Sequence, residues 1–327
     1  MGYEIKWKFK ANDHLDSKII SKNDLIFVGS YDENFYCVDI STGTCKWQYS
    51  VGASINSSPI LIENNLFFGA NNGIFYNLNI NNGTKEWEFK TQGKIVSKPA
   101  IYNNNIVFGN YKGEIYSLNL INANINWNFK VENSVTSDLL LYNEKIYVGT
   151  FDESETNGIL YCIDAANGSV IWRKALKGKF INNPIIFENI ILLGTGNEEL
   201  IFINCNDGDI LYNIQIKELL TSSVKLIENV AYVGSKEGVL YSIDLHKKEI
   251  IWSTKVNSSI GSHLEILYDC ILFGTDNGDF YRTSIITGEI KDCVKIGDTI
   301  TDAIEIVDNK YVFVGSWDSY LYLILFK

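Results

Sequence analysis

Eight glycines divide this chain of 327 residues into segments of nearly equal length. Successive glycines are separated by 40, 40, 40, 45, 40, 40 and 41 residues. A fixed period of this size is typical of repeat architectures, in which each unit buries its apolar face against its neighbours. Residues that recur in every unit therefore build the scaffold, so function must come from residues that differ between units. The eight positions are Gly29, Gly69, Gly109, Gly149, Gly194, Gly234, Gly274 and Gly315.

The third unit shows what one repeat is made of. Short apolar or alternating runs cover residues 98–102, 106–109, 114–119 and 125–129, and turns rich in Asn and Gly separate them. Such runs are typical of β-strands joined by hairpins, and none is long enough to show a helical period. Four strands in about 40 residues describe a propeller blade. The sequence therefore predicts an all-β, eight-bladed β-propeller of four-stranded antiparallel blades.

A tryptophan recurs near the start of the predicted fourth strand in most units. A wide, rigid ring at a constant place can wedge between neighbouring blades and bury roughly 150–250 Å². We therefore interpret these tryptophans as scaffold rather than as a ligand-binding surface. They are Trp47, Trp87, Trp127, Trp172 and Trp252, with Tyr212 and Asp292 at the same place in units five and seven.

The turn before the tryptophan usually contains a glycine, such as Gly43 in unit one. Glycine supplies the positive φ that a tight hairpin needs. Units three and six carry Asn122-Ala123 and Lys247-Lys248 instead. The sequence therefore predicts that these two turns are looser or of another type.

The last unit ends after its third predicted strand, whereas the N-terminus has a spare one at residues 3–10. Trp7 in that segment precedes Gly29 by the same number of residues as Trp47 precedes Gly69. We expect the N-terminal strand to complete blade eight beside residues 320–325, because this removes two exposed sheet edges. The prediction is then a single closed domain over residues 1–327.

Three units share a longer pattern that ends in the tryptophan. Residues 37–47, 77–87 and 162–172 read Cys-x-Asp-x-x-Thr-Gly-x-x-x-Trp, Asn-x-Asn-x-x-Asn-Gly-x-x-x-Trp and Cys-x-Asp-x-x-Asn-Gly-x-x-x-Trp. This pattern resembles the tryptophan-docking repeat of the PQQ-like, or quinoprotein alcohol dehydrogenase-like, eight-bladed propellers. The resemblance implies the fold and leaves the activity open. The family includes PQQ-dependent alcohol dehydrogenases, sensor domains and non-catalytic members such as the scaffold lipoprotein of the outer-membrane barrel assembly machine.

The chain departs from the enzymes of that family. The resemblance would require adjacent cysteines in a disulfide against the quinone, an Asp base and a calcium site. Here no two cysteines are adjacent, and the chain is too short for the insertions that build those sites. We therefore expect the non-catalytic branch, with no PQQ, no other cofactor and no metal site. The six cysteines are Cys37, Cys45, Cys162, Cys205, Cys270 and Cys293.

Charge and hydropathy exclude several classes of partner. The net charge of −11 argues against nucleic acid and against anionic membranes, because both attract basic surfaces. No apolar run approaches 18 residues, so we expect no membrane insertion. Scattered cysteines favour a reducing compartment, and residues 1–3 lead straight into a strand without an apolar signal region. We expect a cytoplasmic monomer, or a periplasmic or secreted protein if a signal peptide was removed.

The residues that open each innermost strand lie at the predicted channel mouth, and six of the eight first positions are serine. Small polar residues there can hold water or strand-end amides, or can form a polar funnel for a small ligand or a peptide end. The members that vary are Lys18, Lys98, Asp138, His263 and Asp302. Lys98 and Asp138 come from adjacent blades and can pair with each other. His263 and Asp302 are also neighbours, and this pairing could orient an imidazole for catalysis.

Four aromatic residues break the repeat pattern on the loops that share this face. Tyr31, Tyr111, Phe151 and Trp317 each stand two residues after a repeat glycine, and residues 151–157 form an acidic insertion. Exposed aromatic residues are what protein interfaces prefer. The sequence therefore predicts a non-enzymatic scaffold that binds a protein or peptide on the channel-mouth face. The alternative is an enzyme, or its accessory subunit, acting on a small substrate with His263, Asp302, Asp138 and Lys98, or a small-molecule sensor.

Overall fold

A computed structural model describes residues 2–152, 157–178, 183–301 and 303–326. Within these ranges the chain forms 33 strands and no helix. The strands build eight antiparallel sheets, seven of them with four strands and one with an additional short strand. The prediction of an all-β, eight-bladed propeller is confirmed.

The strands follow one another blade by blade. The first is β1 (Tyr3–Lys10), followed by β2 (Ile20–Lys22), β3 (Leu25–Gly29), β4 (Asn34–Asp39) and β5 (Cys45–Ser50) of blade one; β6 (Ile60–Ile62), β7 (Asn65–Gly69), β8 (Ile74–Asn79) and β9 (Lys85–Lys90) of blade two; β10 (Ala100–Tyr102), β11 (Asn105–Gly109), β12 (Glu114–Asn119) and β13 (Ile125–Lys130) of blade three; and β14 (Ser134–Val135), β15 (Leu140–Tyr142), β16 (Lys145–Phe151), β17 (Asn157–Asp164) and β18 (Val170–Lys177) of blade four.

The second half repeats this order. It contains β19 (Ile185–Phe187), β20 (Ile190–Thr195), β21 (Glu199–Asn204) and β22 (Ile210–Gln215) of blade five; β23 (Lys225–Ile227), β24 (Val230–Gly234), β25 (Val239–Asp244) and β26 (Glu249–Lys255) of blade six; β27 (Glu265–Leu267), β28 (Cys270–Gly274), β29 (Asp279–Ser284) and β30 (Ile290–Lys295) of blade seven; and β31 (Ile304–Val307), β32 (Tyr311–Gly315) and β33 (Tyr320–Phe326) of blade eight.

Two compact units share these blades. One unit comprises residues 1–56 and 220–327, and therefore blades one, six, seven and eight. The other comprises residues 57–219 and contains blades two to five. In each unit the second and third strands of the blades supply most of the buried apolar residues.

The N-terminal strand completes blade eight, as the sequence predicts. Strand β1 pairs with β33 in the sheet order β1-β33-β32-β31. Trp7 lies opposite Leu323, and Phe9 lies opposite Leu321. The indole nitrogen of Trp7 donates a hydrogen bond of 2.9 Å to the carbonyl oxygen of Ile40 in blade one. The strand therefore links blade eight to blade one through its backbone and through its tryptophan.

Three further repeat tryptophans dock onto the next blade in the same way. The indole nitrogens of Trp87, Trp172 and Trp252 donate to carbonyl oxygens of the following blade at 3.0, 3.0 and 3.2 Å. Each ring lies against the hairpin glycine of that blade where one is present; a Cβ on Gly208 would come within 2.6 Å of the Trp172 ring. The interpretation of the tryptophans as scaffold is confirmed.

The repeat glycines are required by close approach. A Cβ on Gly69 would lie 2.2 Å from Cγ2 of Ile95, and one on Gly274 would lie 2.2 Å from Cγ2 of Ile300. Both isoleucines belong to the connection into the next blade. Only a residue without a side chain lets that connection pack directly on the second strand.

The prediction of looser turns at Ala123 and Lys248 is wrong. Their φ angles are 57° and 60°, close to the 68° of Gly43. The Lys248 amide donates to the Asp244 carbonyl oxygen at 2.8 Å. In blade one the Gly43 amide donates to the Asp39 carbonyl oxygen at 2.9 Å. The turn is thus the same, and these residues carry a Cβ in a left-handed conformation because the surrounding hairpin imposes it.

Blade seven replaces the docking tryptophan with an ion pair. Asp292 occupies the tryptophan position and pairs in register with Arg282, as Trp252 pairs with Ser242 in blade six. The two side chains are only 12% and 11% exposed and form a salt bridge. The Arg282 guanidinium also lies 5.0 Å from the ring centroid of Phe326 in blade eight. It thus bridges blades seven and eight without an indole.

The six cysteines are free, and four of them are buried. Burial raises the pKa of the Cys162 thiol to about 11, and this effect exceeds the opposing influence of Tyr147 and Lys145. Among the described residues, no helix is long and apolar enough to cross a bilayer.

Candidate binding surface at the blade connections

Five of the six serines at the predicted channel mouth accept a hydrogen bond from the amide of a repeat glycine, whereas the Ser97 hydroxyl has no partner among the described residues. Ser57 is buried; its Oγ accepts a hydrogen bond from the Gly69 amide at 3.1 Å and donates to the Gly69 carbonyl oxygen at 2.7 Å. Ser222 accepts the Gly234 amide at 2.7 Å in the same way. The hydroxyls of Ser57 and Ser222 are thus committed to the repeat glycines, as the structural interpretation of these serines expects.

Lys98 and Asp138 are in contact, but not as a side-chain ion pair. The Asp138 carboxylate accepts a hydrogen bond of 2.7 Å from the backbone amide of Lys98. Asn183 then accepts the Asp138 amide at 2.8 Å and donates its side-chain amide to the carboxylate at 2.9 Å. The Asp138 carboxylate therefore ties together the starts of three innermost strands, and two donors already occupy it.

Lys18 belongs to a charged cluster on the innermost strands of blades one, six, seven and eight. Its Nζ lies 4.0 Å from the Glu265 carboxylate, which Lys225 approaches to 2.7 Å. Glu305 accepts a hydrogen bond of 2.8 Å from the Ser21 hydroxyl. Burial raises the pKa of Glu305, and this effect exceeds the opposing influence of Ser21 and Lys18. Both lysines of the cluster thus pair with Glu265, and Glu305 pairs with Ser21.

His263 is half-buried at the start of the innermost strand of blade seven. Asp302, its predicted partner, lies outside the described residues, so their pairing stays a prediction. Within the described ranges no three His, Cys, Asp or Glu side chains converge to hold a metal ion.

Trp317 is the centre of an aromatic and acidic cluster at the blade connections. Its indole nitrogen donates to Asp16 at 3.3 Å, and the hydroxyl of Tyr31 donates to the same carboxylate at 3.4 Å. Thr301 donates its hydroxyl to Asp16 as well. The ring of Trp317 stacks on His14, with 5.1 Å between centroids. We call His14, Asp16, Tyr31, Thr301 and Trp317 the Trp317 cluster.

Backbone hydrogen bonds fix the cluster in place. The Trp317 amide donates to the Thr299 carbonyl oxygen at 3.0 Å, and the Tyr31 amide donates to that of His14 at 3.0 Å. Nδ1 of His14 donates to the Trp317 carbonyl oxygen at 2.5 Å, since a carbonyl can only accept. Trp317 nevertheless remains 37% exposed. The result is a rigid indole that presents one side to solvent.

Tyr111 and Phe151 lie together in the other compact unit. The Ser134 hydroxyl donates to the Tyr111 carbonyl oxygen at 2.6 Å, and Ser134 pairs with Phe151 across β14 and β16. Lys94 places its Nζ 4.5 Å from the Tyr111 ring centroid. Phe151 is half-buried and packs against the apolar core of its blade. Both rings are half-buried, Tyr111 beneath the Lys94 ammonium and Phe151 against the apolar core.

The acidic insertion is described only at its ends. The Asp152 amide donates to the Asn157 carbonyl oxygen at 3.2 Å. The predicted specificity loop between them, residues 153–156, lies outside the described residues.

Sequence reasoning missed His14, Asp16 and Thr301. They lie in the connections that enter blades one and eight, which have no strand pattern. One signal was available in the sequence. Asp16 stands directly before the first channel-mouth residue of unit one, and it is the only acid at that position. The other units have Asn56, Val96, Thr136, Ile181, Thr221, Gly261 and Thr301 there. That carboxylate organises the cluster.

Comparison with known proteins supports the architecture. A family model described as outer membrane protein assembly factor BamB matches residues 4–139 and 143–223, more than half of the chain. Among curated protein sequences, no match to the chain was found.

Solved structures match over nearly the whole chain. BamB from Moraxella catarrhalis aligns with a TM-score of 0.81 and 13% identity, covering 99% of this chain and 100% of its own. Sqt1 from Saccharomyces cerevisiae aligns at 0.82 and 14%, covering 98% and 97%. Quinohemoprotein alcohol dehydrogenase from Comamonas testosteroni aligns at 0.83 and 12%, covering 99% of this chain and 76% of its own. At such identities these likenesses establish the fold alone.

Proposed function

This chain belongs to the family of the outer membrane protein assembly factor BamB, and we propose that it is a non-enzymatic scaffold that binds a protein or peptide. In the unit of residues 1–56 and 220–327, the binding side is the one formed by the connections between blades and by the loops between second and third strands. The family description names an assembly factor for proteins, which supports a protein as the class of partner.

The observation that carries the proposal is the Trp317 cluster. Trp317 is held by stacking on His14 and by hydrogen bonds to Asp16 and Thr299, yet more than a third of its surface is exposed. Interfaces concentrate their binding energy in a few aromatic anchors. An anchor that is already fixed loses little conformational freedom on binding, so more of its contact energy becomes affinity.

The charge around the cluster indicates the chemistry of the partner. Asp13 and Asp298 lie in the same connections as His14 and Thr299, and Asp298 is exposed. The whole chain carries a net charge of −11. We therefore expect a partner segment that combines an apolar or aromatic side chain with basic residues, because complementary charge speeds association and fixes orientation.

An enzyme acting at the channel mouth remains the second candidate, but the contacts there favour a structural role. The Asp138 carboxylate holds the Lys98 amide and the Asn183 side chain. Five of the six mouth serines hold the repeat glycines. These polar groups bind the chain itself and leave little free chemistry for a substrate.

Photo-crosslinking tests the proposal. Tyr31 and Tyr268 belong to the same compact unit, and each is replaced by p-benzoylphenylalanine in a separate variant. Tyr31 lies beside Trp317, whereas Tyr268 lies in a hairpin between first and second strands and is 73% exposed. In an extract of the host, we expect a discrete adduct from position 31 and none from position 268. An adduct from position 268 alone would overturn the choice of binding side.

A further inference from the structure

Blades two and three enclose a cleft that the proposed binding side does not use. It has a volume of about 440 Å³ and lies between hairpins at the opposite end of these two blades from their loops after Gly69 and Gly109. Its wall is half apolar and half polar. The lining includes Ile62, Glu63, Phe67, Asn77, Glu86 and Ile101, with Leu120 and Ile121 at the blade-three edge.

Asn77 is the unusual residue in this wall. It pairs with Trp87 at a position where blades three and six have Ser117 and Ser242, whose smaller hydroxyls are also buried without a partner among the described residues. Asn77 is only 3% exposed, and its Oδ1 accepts no hydrogen bond from the described residues. A buried acceptor without a donor costs about 1–3 kcal/mol. A ligand that donates a hydrogen bond into the cleft would remove this cost.

The corresponding gap between blades four and five is filled. Tyr142 and Tyr147 stand where blade two has Ile62 and Phe67. The Tyr147 hydroxyl donates to the Cys205 carbonyl oxygen at 3.1 Å, and the Tyr142 hydroxyl donates to Asn189 at 2.6 Å. Blade two lacks both phenol groups. The cleft therefore arises from specific side chains, and the fold itself does not require it.

The charge of the cleft selects a cation. Glu63 and Glu86 are both in the wall, Glu86 accepts a hydrogen bond of 3.1 Å from the Asn79 side-chain amide, and the described part of the lining contains no Lys, Arg or His. Ile62, Phe67 and Ile101 offer an apolar surface to the body of a ligand, and Ile121 at the edge is 81% exposed. The ligand thus combines N–H donors, positive charge and a short aliphatic chain.

We propose that this cleft binds an aliphatic ammonium group, with one N–H directed to Asn77 Oδ1 and the charge near Glu63 and Glu86. The group can belong to a free alkylamine or to a lysine side chain of a peptide. The hydrogen bond satisfies the buried amide, the carboxylates attract the charge, and the methylene groups cover Phe67 and Ile62.

Titration calorimetry with two probes tests the proposal and separates the two sources. The probes are n-butylamine and Nα-acetyl-lysine methylamide, and the uncharged control is Nα-acetyl-norleucine methylamide. Saturable binding of both amines indicates a site for free alkylamines, whereas binding of the lysine derivative alone indicates a peptide. The norleucine control is expected not to bind. No saturable binding of either amine to the native chain would overturn the proposal.

Two variants locate the site, and both use side chains from other repeats. Asn77→Ser copies Ser117 and removes the unpaired amide, and Phe67→Tyr copies Tyr147 and fills the cleft. Each is expected to weaken amine binding by about tenfold or more, and Phe67→Tyr should hold or raise the melting temperature, because the equivalent Tyr147 hydroxyl finds a carbonyl acceptor. The control Glu88→Gln alters a carboxylate that pairs with Lys85 outside the lining, and it should bind normally. Native affinity in both Asn77→Ser and Phe67→Tyr would overturn the assignment.

Discussion

The indole of Trp317 stacks on the imidazole of His14, with 5.1 Å between ring centroids and 23° between ring planes. The two residues are 303 positions apart in the chain, and they meet because β1 completes blade eight and leads directly into blade one. The junction at which β1 leaves blade eight and enters blade one therefore also carries the exposed aromatic surface. Stability and binding can be separated there, because the scaffold depends on Trp7 and the surface on Trp317.

Removing Trp7 should destabilise the fold. Trp7→Ala loses the ring that lies on Gly43 and the hydrogen bond to Ile40, so we expect a loss of about 3–5 kcal/mol in the free energy of unfolding. Deletion of residues 1–10 should cost at least as much. Denaturant titration measures both, with the exposed Lys6→Ala as the control. A Trp7→Ala protein within about 0.5 kcal/mol of the native chain would show that β1 does not secure blade eight.

Glycine should stabilise the turn of blade six. Lys248 has a φ of 60°, which costs a residue with a Cβ more than it costs glycine. We expect Lys248→Gly to raise the free energy of unfolding by about 0.5–1 kcal/mol. The reverse change, Gly43→Ala, should destabilise, because its Cβ would lie 2.5 Å from the Trp7 ring. Thermal melting of the two variants checks the opposite signs.

The ion pair of blade seven should be replaceable only as a pair. Arg282→Ala leaves the mostly buried Asp292 carboxylate without its partner, which costs about 3–5 kcal/mol. The double variant Arg282→Ser, Asp292→Trp restores the pairing of Ser242 with Trp252, and we expect it to be at least as stable as the native chain. A double variant no more stable than Arg282→Ala would show that blade eight cannot accept an indole there.

Glu305 should make stability depend on pH. Burial raises its pKa above the unfolded value, so the folded state binds this proton more tightly and stability falls as the pH rises through that interval. Glu305→Gln should remove this decrease in stability with rising pH. We expect a higher melting temperature for the variant near about pH 7, and a difference that shrinks near about pH 4. A lower melting temperature at neutral pH would mean that attraction to Lys18 and Lys225 outweighs burial.

The fold could be predicted because its determinants repeat. The glycine before Tyr36 and the indole of Trp87 make the same contacts in unit after unit, so periodicity alone identifies them. The turn at Lys248 could not be predicted from its residues, because the neighbouring hairpin contacts impose a conformation that lysine rarely adopts. The surrounding hairpin thus overrides the intrinsic backbone preference of lysine at this position.

The site could be predicted only in part. Trp317 and Tyr31 were visible as departures from the repeat. Asp16 and His14 were not, because they lie in a connection and their roles depend on contacts across the closure. The cleft beside Asn77 was also invisible, since it depends on whether neighbouring side chains fill a gap between two blades.

The central claim is that Trp317 anchors a partner, and the affinity of Trp317→Ala for the partner crosslinked at position 31 tests it most directly. Its matched control is Tyr268→Ala, another exposed aromatic of the same unit. Asp16 keeps Tyr31 and Thr301 as donors, so Trp317→Ala should melt close to the native temperature. The account predicts that Trp317→Ala loses about 1–2 kcal/mol or more of binding free energy while Tyr268→Ala binds normally. Native affinity in Trp317→Ala would contradict it.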